Sequence, residues 1–136
     1  MEIRQLNEEE RLALVDGLAL ASRLIGEPQP FSIEQIQSLY NIVCDEHAEN
    51  LEAQIAVGLA FGEAIADITG YEWVRVKDEW GEETSLSPAG LRVACHPISM
   101  IQKRIAKKEA VDLVKFRDGI IETIQNRAGS EGYDAR

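Results

Sequence analysis

The apolar positions of this chain fall into helical stripes on either side of a short alternating stretch. Leu14, Leu18, Ala21 and Ile25 recur at the spacing of one helix face, with Val15 beside them. Asn7 is an N-cap residue type, and Glu8, Glu9 and Glu10 place carboxylates at the positive end of the helix dipole. Gly26 ends this first helix, and Pro28 and Pro30 keep the chain extended after it. Ser32 opens a second helix in capping-box spacing with Gln35, and its stripe is Ile33, Ile36, Leu39, Tyr40 and Val43. Asn50 caps a third helix that runs to Ile68.

The third helix is apolar nearly all round. Leu51, Ile55, Leu59 and Ala66 lie on one side, and Val57, Phe61, Ile65 and Ile68 on another. Such a helix sits at the centre of a core. Gly58 and Gly62 lie four residues apart within it. Each costs about 1 kcal/mol relative to alanine, so the spacing predicts that a strand or helix is seated tightly against them.

Gly70 closes the helix, and the period then changes. From Tyr71 to Asp78 the chain alternates, with Val74 and Val76 on one face and Tyr71, Trp73, Arg75 and Lys77 on the other. Glu79-Trp80-Gly81 reads as a turn, Thr84 to Leu86 as a weak second strand, and Pro88-Ala89-Gly90 as another turn. Leu91 to His96 reads as the third strand, with Leu91, Val93 and Cys95 inward. Pro97 suits the first turn of a helix carrying Ile98, Ile101 and Ile105. Asp112 caps the last helix, whose stripe is Leu113, Phe116, Ile120 and Ile124, and Gly129 ends it.

These elements predict one α+β domain over residues 1–129 and a flexible tail over 130–136. N-terminal helices and the central glycine-bearing helix pack on a three-stranded antiparallel meander, followed by two C-terminal helices. A length of 136 residues suits one core.

Charge narrows the partners. A formal net charge of -10 repels phosphate backbones and anionic lipid, so neither nucleic acid nor membrane is an expected partner. It attracts a basic protein. Cys44 and Cys95 stand in apolar surroundings and read as reduced core thiols of a cytoplasmic protein. No secretory leader is read at the start of the chain, and Glu63 and Asp67 interrupt its most apolar window.

Gly58-Leu-Ala-Phe-Gly-Glu63, then Trp73-Val74, then the acidic Asp78-Glu-Trp-Gly81 turn, then Pro97 with Lys103-Arg104 downstream, resemble a bacterial domain family catalogued only as a domain of unknown function. The resemblance spans roughly Asn50 to Ile121. It implies helices plus a small antiparallel sheet, and it implies no activity.

No catalytic set, phosphate loop or cofactor motif is present. Cys44-x-x-His47 and Cys95-His96 offer four zinc-ligand types. Adjacent strand residues point to opposite faces, so Cys95 and His96 do not converge on one metal. No metal or cofactor is expected. Glu63 in its apolar helix needs a partner or a raised pKa; pairing with an arginine or with backbone amides is the expected outcome. Lys103, Arg104, Lys107 and Lys108 read as a solvated helix face.

The binding candidates are Tyr71, Trp73, Arg75 and Lys77 on one strand, joined by Arg92 and His96 on the next. Trp, Tyr and Arg are enriched at binding hot spots. The leading expectation is a non-catalytic protein-binding module of a bacterial cytoplasm, of the kind that neutralises a basic toxin or effector as immunity proteins do. The alternative is a small-ligand binder or enzyme whose site gathers Glu63, Trp73, Arg75 and His96. A homodimer built on the same face is a further expectation.

Overall fold

The computed structural model describes residues 1–90 and 92–130, the side chains of 128–130 excepted. Its elements run β1 (Glu2–Gln5), α1 (Glu8–Ile25), α2 (Ile33–Glu46), α3 (Leu51–Thr69), β2 (Glu72–Asp78), β3 (Gly81–Ser87), α4 (Pro97–Ala106) and α5 (Leu113–Ser130). This is an α+β fold. The expected flexible tail, apart from Ser130, lies outside the described residues, and so does the inward position expected of Leu91.

Local chemistry sets the helix ends. Asn7 accepts from the Glu10 N–H while the Glu10 carboxylate accepts from the Asn7 N–H, and Ser32 and Gln35 repeat the arrangement. Asn50 caps α3 through the Ala53 N–H, and Asp112 accepts from the N–H groups of Val114 and Lys115. Gly26 and Gly70 close α1 and α3 at φ 81° and 76°, a left-handed conformation that a side chain disfavours. The last helix does not stop at Gly129 but continues to Ser130.

α3 is the axis of the molecule. Ala53, Ala56, Val57, Ala60, Phe61 and Ile65 are sealed within the core. Its glycines allow the close approaches that their spacing predicts. A Cβ on Gly58 would fall 2.6 Å from the Ile98 Cα of α4. A Cβ on Gly62 would meet the Trp73 ring of β2 and stand 3.0 Å from Pro97. Phe116 of α5 stacks on Phe61 at 5.3 Å between centroids, and the Arg104 guanidinium lies 4.1 Å from the Phe116 centroid. Arg104 therefore leaves the solvated face expected of it, while Lys103, Lys107 and Lys108 are exposed. Gln37 and Tyr40 of α2 hold the chain leading into α5. The Gln37 amide brackets it through Val111 and Leu113, and the Tyr40 hydroxyl donates to the Glu109 carbonyl at 2.6 Å.

The sheet departs from the expected meander. Its order is β1-β2-β3, antiparallel throughout. The third strand is the N-terminal segment Glu2–Gln5, not Leu91–His96. Among the described residues of that later stretch only Cys95 pairs, in a single bridge to Leu86. The chain there turns almost at once into α4, whose first residue, Pro97, packs toward Gly62. That packing leaves no length for a strand.

The two faces of β2 sort as its alternation predicts, but neither is open. Directly opposed residues share a face. Trp73 stands opposite Leu86, and Arg75 opposite Arg4 and Thr84. This face turns toward the helices, with Trp73 on α3 and Arg75 beside Glu10 of α1. Val74 and Val76, opposite Ser85 and Glu83, lie on the other face. They too are buried. The Pro88–Gly90 turn borders Val74, and the Arg92 guanidinium reaches the Met1 carbonyl at 3.5 Å. The sheet therefore presents no open face of aromatic and basic side chains.

Candidate functional site

The residues singled out in the sequence separate into distinct environments. Arg75 belongs to an ion cluster that fastens β1 and β3 to the start of α1. Its Nε lies 3.2 Å from Glu82 and 3.3 Å from Glu10, and its Nη1 donates to Thr84. Arg4 forks onto both Glu10 oxygens at 2.8 Å and adds Glu82 at 2.9 Å. The Arg4 guanidinium and the Asn7 N–H hold the Glu10 carboxyl down at about 2. With its donors engaged within the fold, Arg75 is a fastening residue. Lys77 is exposed at the strand end between Glu2 and Glu82. Tyr71 is partly buried against the core, where burial and then Cys95 raise its pKa. The Cys95 thiol itself is pushed up to about 12 by burial, which leaves it protonated and unreactive.

His96 lies on the opposite side of the sheet from Trp73 and Arg75. Its Nδ1 is 2.7 Å from the Ser85 hydroxyl and 2.8 Å from Glu83, and Ser99 donates to the same Glu83 oxygen at 3.1 Å. A serine, a histidine and a carboxylate in contact invite comparison with a hydrolytic triad. In a triad the serine and the acid engage different ring nitrogens. Here both engage Nδ1, and Ser85 is 0% exposed, so its hydroxyl has no access to a substrate. The cluster ties α4 to β3.

Glu63 and Trp73 do meet. The indole packs over Gly62, and its Nε1–H is buried with no acceptor in hydrogen-bonding geometry. The neighbouring Glu63 carboxylate lies close enough for the indole to favour its charged form. That influence loses to burial, and then to Asp67, which together raise the Glu63 pKa. The expected arginine is missing: among the described residues Glu63 has no ion pair and no hydrogen bond. Glu63 and Asp67 border a cleft of about 270 Å³ beside the Gln29–Phe31 connection.

Trp80 is the residue that sequence reasoning passed over. It occupies the β2–β3 turn and is 87% exposed, the most exposed of the large apolar side chains among the described residues. Asp78 accepts its backbone N–H at 2.8 Å, which braces the turn. Beside it opens a cleft of about 430 Å³ bordered by Asp78, Glu83, His96, Ser99 and Lys103. The signal was available, because an indole at a two-residue turn between strands is carried away from the core.

Among the described residues, no group of three or more His, Cys, Asp or Glu side chains is placed to hold a metal ion. No helix among them is long and apolar enough to cross a membrane. No curated protein and no solved structure matches the chain. Residues 33–116, well over half its length, match the family described as Domain of unknown function (DUF3806), a span that holds α2, α3, the β2–β3 hairpin, α4 and the start of α5. The chain belongs to that family.

Proposed function

We propose that this protein is a non-catalytic protein-binding module of the bacterial cytoplasm that docks a basic partner through the tip of its β2–β3 hairpin. The observation that carries the reading is Trp80, 87% exposed on a braced turn with Asp78 and Glu79 before it and Glu82 and Glu83 after it. A rigid exposed indole costs little ordering entropy on binding and supplies a large apolar contact. The surrounding carboxylates and the net charge of -10 favour a cationic surface opposite it. Neutralisation of a basic effector or toxin is the specific role that this charge suits. Against a site gathering Glu63, Trp73, Arg75 and His96 stands the register, in which the Ser85 and Glu83 partners of His96 alternate with the residues opposite Trp73 and Arg75.

The test is affinity capture from the native cell, with wild-type protein and Trp80→Ala compared. The expected result is a basic protein, identified by mass spectrometry, that the variant loses and that rising salt releases. A partner held equally by Trp80→Ala, or no partner above background, overturns the reading.

A further inference from the structure

A groove between β3 and α4 leads from the hairpin tip into the body of the molecule. Two clefts make it up. The outer one lies beside Trp80, and α4 lines it with Ser99 and Lys103. The inner one is a hollow of about 310 Å³, bordered by Ala13 and Leu14 of α1, Ile55 and Leu59 of α3, and Ile98 of α4. Glu82 and Glu83 border both, so the two clefts adjoin at the rim of β3.

The hollow differs in chemistry from the outer cleft. Its floor is aliphatic and incompletely covered: Leu14, Ile55 and Ile98 are partly exposed, and Ala13 is exposed. Its polar groups are held within the fold. Arg75 is engaged by Glu10, Glu82 and Thr84, and Gln102 by Gln54. What the hollow offers is apolar contact, and covering wet aliphatic surface gains free energy in proportion to its area. Its volume admits a large aliphatic side chain and excludes a folded element. Along β3, Gly81 beside Trp80 and Thr84 in the hollow are about 10 Å apart at the strand rise. An extended segment covers that length in three residues.

We infer that the basic partner of the hairpin docks here through one extended segment. It sets a cationic side chain against Trp80 and a leucine, isoleucine or methionine, about three residues away, in the hollow. The inference rests on the reading of Trp80 as a docking residue. Charge complementarity selects the first anchor, because Asp78, Glu82 and Glu83 border the outer cleft with the indole. A cation on the indole face adds its attraction to the ring. Apolar fit selects the second anchor. Glu82 and Glu83, at the junction, disfavour an acidic residue between the two. The tip thus attracts basic segments, and the hollow discriminates among them.

Random peptides displayed on phage are selected on the full chain. The selected peptides are then synthesised and their affinities measured by fluorescence anisotropy. They are expected to carry lysine or arginine with leucine, isoleucine or methionine about three positions away. Replacing that aliphatic residue by alanine should weaken binding at least about tenfold, as should Trp80→Ala in the protein. Ala13→Leu, at an exposed helix position, fills the hollow and should weaken the same peptide comparably without lowering the melting temperature. Selected peptides with basic residues alone, or with an aliphatic residue replaceable at no cost, overturn the inference and leave the hairpin reading standing. Peptides indifferent to Trp80→Ala, or no selected peptide, overturn it as well. A dimer of the parent chain that Ala13→Leu dissociates gives the hollow to a second copy, with the same consequence. If Ala13→Leu does not fold, the alanine substitution in the peptide decides.

Discussion

Gly58 and Gly62 set how closely α4 and β2 approach the central helix, and the consequences differ from those of glycines elsewhere. A methyl group at 58 would press on the Ile98 backbone, which has little room to yield. Gly58→Ala is expected to lower stability by about 1–3 kcal/mol in denaturant unfolding, despite its better helix propensity. Gly119 of α5 has nothing within 4 Å of an added Cβ. Gly119→Ala is expected to raise stability by up to about 1 kcal/mol in the same experiment. Glu63 makes a further prediction. A carboxyl whose folded pKa is raised supports the fold in its neutral form, and that support is lost as pH rises through the raised value. At about pH 7 the ionised group therefore opposes folding, and Glu63→Gln should melt higher than the parent. The difference should vanish once pH falls below the ordinary carboxyl value of 4.5. A variant that melts lower at neutral pH would show that the ionised Glu63 carboxylate is a net favourable group in the fold.

β1 is four residues long, with only Ile3 apolar, and it has no propensity to hold itself in place. Its ladder to β2 and the Arg4 fork onto Glu10 and Glu82 do so. The Glu10 pKa is depressed to about 2, so its contribution is complete above the unfolded value of 4.5 and is lost as pH falls toward 2. Glu82 is lowered by the same guanidinium, so it adds to the same acid window. Arg4→Gln should therefore flatten the acid limb of the stability–pH curve and speed amide exchange in β1. An unchanged acid limb would show that the cluster does not couple β1 to the fold. Single surface ion pairs contribute little, but here four charges share one set of contacts. At this level, sequence reasoning went furthest with the helices. Asn7, Ser32, Asn50 and Asp112 act within a turn of their own chain, so their roles could be read directly. β1 could not, because its partner lies some seventy residues away and one isoleucine makes no alternating pattern.

Across the molecule, stability and proposed function occupy different surfaces. The core is built around α3, while Trp80 projects from the far end of the hairpin. Trp80→Ala should leave the melting temperature unchanged while abolishing partner capture, since the indole has almost no contacts to lose at 87% exposure. A fall in melting temperature would point instead to a structural role for the turn.

What the chain determined by itself is local and periodic: five helices, four of them with their N-caps, a buried glycine-bearing helix at the centre, one strongly alternating strand, and an acid excess. Helix periodicity and capping act over a few residues, so they survive any tertiary arrangement. Only the tertiary structure decided which segment completes the sheet, that Trp73 turns to α3 while Val74 and Val76 are buried on the other side, and that Glu63 has no ion-pair partner among the described residues. Alternation separates two faces but does not say what covers each. Pairing, cover and counter-ions come from segments distant in sequence, and they are chosen when the whole core closes.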